Sequence, residues 1–552
     1  MKQAGLVMGV GFSAWAAASF AQTTPGTVGD TLKKPPEVPQ QKPPAAIVNE
    51  QKLAPLPPPP GTVSVAVQAF TFTGNKIFTK EELGAVVAPF TGRPLKLPEI
   101  YDAADKVAAY YVSKGYTLAT VNVPPQKVDE GVIRLEVIEG RIAAIKVEGN
   151  LHYQTASLLE YLHGVKSGEV YQGSALADGL NTLNELPGLS TRAVLKPGDD
   201  YGTTDIVVQA REQFVQASAT VDNYGRENIG EFRFTGITMF NSLFGVEDQL
   251  QLMGMVSEHS LLRYGYIAYS MPLDYRGSRL TGSYGIARFE VDNELDASID
   301  GENIVGRLQL DHPFVRTHND RFVAGIAVSN TSADATIEGL PTGSTDLTLL
   351  EINTSWMHGW GGGFLSRINT SLSSNFDQAN FCDLHPGFGC PGSEATKPRD
   401  DQQFRGQLDT LHVLPMPQRF QALLRLDGVW SPDPLPDTQK FALGGPGSVR
   451  GYAASEVRGD RGWFTSLTLQ RPFLFGQFTL LGRVFADTGA VYEVDTPPGV
   501  NDEETLSSIG LGADLRYQRV SMTLDASWPQ DDQPSSDGDE DFRLFGSLAV
   551  SF

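Results

Sequence analysis

The chain has 552 residues, enough for one very large domain or three or four ordinary ones, and its 43 Lys and Arg against 65 Asp and Glu leave a formal charge of −22. Such an acidic balance argues against nucleic acid, whose affinity comes from neutralising phosphates with Lys and Arg. Beyond the N-terminus no stretch approaches the ~18–20 consecutive apolar residues that a membrane-spanning helix requires.

Residues 1–21, MKQAGLVMGVGFSAWAAASFA, carry one Lys, an uncharged run and the small-residue exit Ser19, Phe20, Ala21. That is the pattern of a secretory signal peptide cleaved before Gln22. The rest of the chain is therefore expected outside the cytoplasm, either soluble or crossing a membrane as a barrel. Residues 22–63 form a linker, and its segment from Pro35 to Pro60 holds 10 prolines in 26 residues. Such a composition favours an extended, semi-rigid spacer.

An internal repeat follows. Phe72, Thr73, Gly74 and Asn75 are matched 75 residues later by Val147, Glu148, Gly149 and Asn150, each set ending a short alternating strand. In the first copy, residues 64–140, Thr79 and Glu82 form a capping box that opens a helix. Pro98 opens a second helix, with Ile100, Ala104, Val107 and Tyr111 as its apolar stripe and Gly115 as its end. Strands are predicted near 118–123 and 132–138. The second copy, residues 141–212, repeats the order with helices near 156–163 and 174–186 and strands near 191–195 and 205–209. Each copy is thus a β-α-α-β-β unit of the α+β class, large enough for its own core.

From residue 213 to 552 helical stripes vanish and alternating segments of about ten residues take over, separated by Gly, Asp, Asn and Pro clusters. Val520, Met522, Leu524, Ala526 and Trp528 share one face, against Ser521, Thr523, Asp525 and Ser527 on the other. Residues 509–517, 424–430 and 304–310 divide the same way. A soluble sandwich would accommodate any one of these segments. Their number, their length, the charges opposite the apolar side and the aromatics near strand ends are the pattern of a transmembrane β-barrel, and the length available allows about 16 antiparallel strands. Within this region Cys382 and Cys390 flank a short loop that a disulfide would close in an oxidising compartment. His385 lies between them, but a structural zinc site needs more ligands than are in view, so no metal is expected. The last strand alternates from Phe542 to a terminal Phe552, which resembles the assembly signal of outer-membrane proteins.

The segment 431–462 separates two strands, and a connection of 32 residues without structure of its own is usually functional or disordered. It reads LGGPGSVRGY from Leu443 to Tyr452. A phosphate-cradling loop is one reading of its glycines, but no G-x-x-x-x-G-K-[ST] pattern is present. A folded-back hairpin presenting Arg450 is the other. On a following strand Arg483, Phe485, Asp487 and Gly489 share a charged face that should line the lumen, where Asp487 could pair with Arg450.

With Val449, Arg450, Gly451 and Tyr452 in a long loop and Phe485, Asp487 and Gly489 on the next wall, preceded by two POTRA-like units, the chain resembles the two-partner secretion transporters. These are the TpsB, or ShlB/FhaC/HecB, family of the BamA-like superfamily. Val221–Gly225 with Gly230, and Asn241, Gly245, Asp248 and Leu250, also look like this family's first barrel hairpin. The resemblance implies an outer-membrane barrel in a Gram-negative bacterium, periplasmic POTRA domains, a sixth loop folded into the pore, and no cofactor. The implied partners are a large secreted exoprotein of the haemolysin or adhesin type, recognised through its N-terminal secretion domain, the outer-membrane lipid, and the barrel assembly machinery during biogenesis. Many members plug the barrel with an N-terminal helix, but residues 23–34 have no apolar stripe, which argues against a plug here. An insertase for other barrels is the alternative; a passive porin would need neither the two units nor the arginine-bearing loop. No catalytic pattern such as G-x-S-x-G or H-E-x-x-H is present.

Overall fold

The computed structural model describes residues 24–32, 46–50, 64–292, 298–317, 319–375, 380–382, 403–496, 501–531 and 541–552. The signal-peptide reading of 1–21 and the Cys390 half of the expected disulfide lie outside these residues. Two compact units result, one containing Val215–Phe240 and Asp248–Phe552 together with the N-terminal helix, the other running to Phe214 and including Asn241–Glu247.

In the second of these units the repeat has a physical cause. Gly74 and Gly149 sit at φ 82° and 88°, and a Cβ on either would lie 2.2 Å from Val137 O or 2.4 Å from Ala210 O. Only glycine lets the strand turn away that close to its neighbour. The asparagine that follows closes the turn: Asn75 Nδ2 donates to Phe78 O at 3.0 Å and Asn150 Nδ2 to Tyr153 O at 2.8 Å. A carboxylate then collects the exposed amides. Glu139 accepts from Lys76 N, Ile77 N and the Tyr111 hydroxyl, and Glu212 from Leu151 N, His152 N and Tyr153 N. Burial pushes the Glu212 carboxyl up, but those three amides and the His152 ring outweigh it and hold it below its ordinary value.

The first copy packs helices Lys80–Val87 and Leu97–Ser113 on a sheet ordered Ala69–Thr73, Val132–Ile138, Thr120–Asn122. The capping box closes as its spacing requires, with Glu82 N on Thr79 Oγ1 at 3.2 Å and Thr79 N on Glu82 Oε2 at 2.8 Å. Leu83, Ile100, Val107 and Tyr111 fill the core. The expected first strand is two: Ser64–Val67 leaves the sheet to pair with Arg93–Lys96. The second copy puts Thr155–Glu160 and Gly173–Leu183 on Arg141–Glu148, Leu189–Pro197 and Thr203–Glu212. The free edge of Leu189–Pro197 is taken by Ile47–Asn49, which pairs in parallel from Ile47 opposite Ala193 to Asn49 opposite Leu195. The Pro-rich linker is therefore not wholly a spacer, because between its proline clusters three residues keep the donors and acceptors a sheet edge needs.

In the other unit 16 antiparallel strands close a barrel, Val215–Asp222 pairing with Arg543–Ser551, and the short strand Asn380–Cys382 extends the hairpin before it. The outward face is apolar, with Leu308, Ile326, Ile352, Leu467 and Leu511 each more than half exposed. Aromatic pairs mark both rims. Phe404 with Trp430 and Trp528 with Phe542 lie at the end that carries the long connections, and Trp360 with Phe364 and Phe478 with Tyr517 at the end with tight turns. An apolar band between two aromatic girdles is what a bilayer requires of a barrel. Inward, polar side chains satisfy one another, as in Arg307 with Glu351 and Arg233 with Asp222.

Residues Pro25–Thr31 form a helix against the inner wall, although the missing apolar stripe in 23–34 counted against one. Thr24 caps it, its Oγ1 accepting from Thr27 N at 3.2 Å while Thr27 Oγ1 accepts from Thr24 N at 2.9 Å. Val28 packs on apolar side chains, among them Leu262 and Phe289, and the C-cap residue Leu32 adds to the same cluster. A helix in a polar lumen needs hydrogen-bond and ion-pair partners rather than a stripe, which is why the stripe criterion missed it.

Candidate functional site: the pore loop and its anchors

The long connection turns back into the barrel. Its stem is a two-stranded ladder, Phe441–Leu443 with Val457–Gly459, and its tip carries the glycine-rich turn. Gly444 and Gly445 have φ of 104° and 89°, and a Cβ on Gly444 would meet Ala453 O at 2.3 Å. Leu443, Val449 and Tyr452 are fully buried in a cluster with Phe464, Val491 and Leu506 of the wall. This answers why a breaker-rich loop carries bulky residues: the glycines make the turn, and the side chains fasten it.

Arg450 and Asp487 meet at the tip. Arg450 Nε lies 2.8 Å from Asp487 Oδ2 and its Nη2 2.9 Å from Oδ1, a two-pronged fork, and the Arg450 amide also donates to Oδ2 at 3.2 Å. Ser466 Oγ donates to Asp487 Oδ1 at 2.6 Å. The guanidinium carbon stands 3.4 Å from the centre of the Phe485 ring. The Asp487 carboxylate has no exposure and the Arg450 side chain 12 %. Gly451, at φ 122°, would put a Cβ 3.1 Å from Ser508 Cβ. Gly489 passes so close to the next strand that a Cβ would lie 2.6 Å from Trp463 O. Tyr452 donates to Ser507 O and Asp531 Oδ2, both at 3.2 Å, and burial together with Asp531 pushes its hydroxyl up to about 12. Every residue of both motifs thus lies within one assembly; Phe552, by contrast, ends the last strand with its amide on Ala217 O, and Cys382 belongs to the short added strand.

Three features were not read from the sequence. Arg483 of the same wall strand holds Asp525 at 2.8 Å and Asp514, and Asp525 lies 3.9 Å from Arg450, so the fork belongs to a larger charge cluster. Arg226 donates to Ala454 O and Ser455 O, tying the loop to the first hairpin's connection. Arg458 holds Asp437 at 2.6 Å within the loop and Asp30 of the N-terminal helix at 3.0 Å. Ser455 Oγ adds a bond to Asp30 Oδ2 at 3.1 Å, and Gly26 N donates to Asp437 Oδ2 at 2.8 Å. The spacing of charges in the loop offered the one sequence signal, since Arg458, Asp460 and Arg461 lie in a segment that must face water or one another. Among the described residues no group of acidic, His or Cys side chains could hold a metal.

A closed barrel with an apolar outer band, a long connection locked inside its lumen, and α+β units before it in the chain defines an outer-membrane barrel of the POTRA-barrel type. The sequence model of the "Haemolysin secretion/activation protein ShlB/FhaC/HecB" family matches residues 202–517, and that of the "POTRA domain, ShlB-type" matches 65–140. Hemolysin transporter protein ShlB of Serratia marcescens is 27 % identical over 436 residues, 76 % of this chain and 73 % of the relative. Outer membrane transporter CdiB of Escherichia coli O6:K15:H31 is 25 % identical over 72 % of this chain and 67 % of its own. The solved structure of CdiB from Escherichia coli superposes with a TM-score of 0.66 at 19 % identity, covering 99 % of this chain and 100 % of that one. The chain belongs to the ShlB/FhaC/HecB family and is a two-partner secretion transporter of the outer membrane.

Proposed function

We propose that the protein exports one large exoprotein of the haemolysin or adhesin type, recognised through that protein's N-terminal secretion domain. A signal peptide in residues 1–21 directs it to the periplasm, the barrel assembly machinery inserts it with the strand ending at Phe552 as the signal, and both β-α-α-β-β units face the periplasm with the long connections outside. The ion pairs that fasten the pore loop carry this reading: a channel meant to stay open would not bury a fork in its lumen.

The client binds as an unfolded chain, adding backbone hydrogen bonds to exposed sheet edges of the periplasmic units. One such edge, along Leu189–Pro197, is already paired with Ile47–Asn49, which directs the client to the remaining edges or makes it compete with that strand. Folding of the client outside withdraws it from the pore equilibrium and gives direction without a nucleotide. The Arg450–Asp487 fork holds the loop in its resting arrangement. Removing Arg450 strands a fully buried carboxylate, which costs about 3–5 kcal/mol of the docked loop while leaving the strand ladders intact.

Arg450→Ala is therefore expected to impair secretion, read as exoprotein in the culture supernatant of the native host, with normal barrel levels in the outer membrane. Normal secretion by that variant overturns the role of the fork. Deleting the whole chain should remove one large secreted protein and leave other barrels unchanged; a broad fall in barrels instead means an insertase.

A further inference from the structure

Outside the pore, the outward wall of the second to fifth barrel strands is not smooth. On Gln249–Ser257 and Leu262–Pro272 two glycines, Gly254 and Gly265, stand directly opposite each other, and Gly236 of Arg233–Asn241 lies in the same depression. None has positive φ, so no turn or strain calls for glycine there, and a Cβ on Gly236 or Gly254 would meet nothing within 4 Å. The missing side chains leave a groove of about 840 Å³ walled by Phe234, Leu252, Ile267 and Tyr284. Each of these four is more than a third exposed.

Toward the rim that carries the long connections the groove runs into a second depression of about 490 Å³, bordered by Ser260, Arg263 and Arg288. Arg263 and Arg288 are cross-strand partners on the outward face. Two like charges directly opposite destabilise a sheet unless an anion bridges them. Glu302 takes the Nε of Arg288 from the far side, but the Arg288 side chain remains 69 % exposed. Arg263 makes no ion pair among the described residues, and Arg288 keeps most of its guanidinium open to the outside. A pair of forks above an apolar trough matches a ligand with a phosphate head and hydrocarbon tails.

We propose that this wall is a binding site for a phosphorylated glycolipid of the outer leaflet, of the lipid A type. A phosphate spans Arg263 and Arg288, the Ser260 hydroxyl donates from the turn, and an acyl chain lies in the trough over Gly254 and Gly265. The choice of leaflet rests on the orientation proposed above, since the arginines lie at the end assigned to the cell exterior.

The test titrates the purified full-length protein in dodecyl maltoside with diphosphoryl lipid A, with dephosphorylated lipid A, with phosphatidylglycerol and with inorganic phosphate, following binding by Trp fluorescence and thermal unfolding. Diphosphoryl lipid A should bind at least about tenfold more tightly than the others. Arg263→Ala/Arg288→Ala should erase that preference, and Gly254→Leu, whose Cβ meets nothing within 4 Å and whose side chain projects into the trough, should weaken every acylated ligand. An unchanged preference in the double variant overturns the head-group site; equal binding by inorganic phosphate overturns the trough; equal binding by phosphatidylglycerol overturns the glycolipid. Ser298→Cys, at an exposed connection of the same rim, reports orientation separately. Labelling of intact cells by an impermeant maleimide upholds it, so that a failed titration then condemns the lipid site alone, and absence of label overturns the choice of leaflet.

Discussion

Asp30→Asn isolates what holds the N-terminal helix in the barrel. Asp30 Oδ2 takes a charge-assisted bond from Arg458 at 3.0 Å and a second bond from Ser455 Oγ at 3.1 Å, and the Asp30 and Arg458 side chains are 10 % and 9 % exposed. Asparagine keeps the shape and one acceptor but loses the charge. Arg458 is not stranded, because Asp437 still holds it at 2.6 Å. The loss is the difference between a charge-assisted and a neutral bond, about 1–2 kcal/mol at this burial. Each 1.4 kcal/mol is a factor of ten, so the helix-out population should rise roughly 5–30-fold. Single-channel recording in planar bilayers reads this as open probability, with a variant lacking residues 24–32 setting the ceiling. The increase should persist at high salt, since the pair is largely shielded from screening. If the deletion conducts continuously while Asp30→Asn opens no more often than the parent, the ion pair does not hold the helix. If the deletion itself stays closed, the pore loop alone closes the barrel.

Gly451→Val forces a β-branched side chain into φ 122° with a Cβ 3.1 Å from Ser508 Cβ, so it should release the loop tip and impair secretion as strongly as loss of Arg450, with the barrel still heat-resistant on gels. Glu212 has its carboxyl held below the ordinary value, so its stabilisation is complete above the unfolded value of about 4.3 and is lost as pH falls through the folded one. Protection of residues 151–153 from hydrogen exchange, relative to the intrinsic rate at each pH, should therefore fall as the pH drops through the lowered folded value in the parent. In Glu212→Gln protection should be low at every pH, and a parent-like profile in that variant would falsify the carboxylate's role.

Much of this architecture is local and therefore written along the chain. Alternation in 520–528 dictates which side chains meet lipid because strand side chains alternate by geometry, whatever the strand pairs with. Thr79 and Glu82 specify a helix start within four residues, and Gly74 and Asn75 a turn. Arg450 and Asp487 could be matched because one sits in a connection too long to be idle and the other on a face too charged to meet lipid. What only tertiary structure decided is what long-range partners select. A seven-residue helix without a stripe has no reason to form alone, and it forms where Asn303, Asp437, Ser455 and Arg458 supply from far along the chain the bonds that water would otherwise give. Ile47–Asn49 is a strand only because Leu189–Pro197 offers it an unpaired edge. Side-chain periodicity is a property of the chain's own backbone, whereas the partner of a polar group is set by closure of the barrel and sheets, which brings together residues hundreds of positions apart.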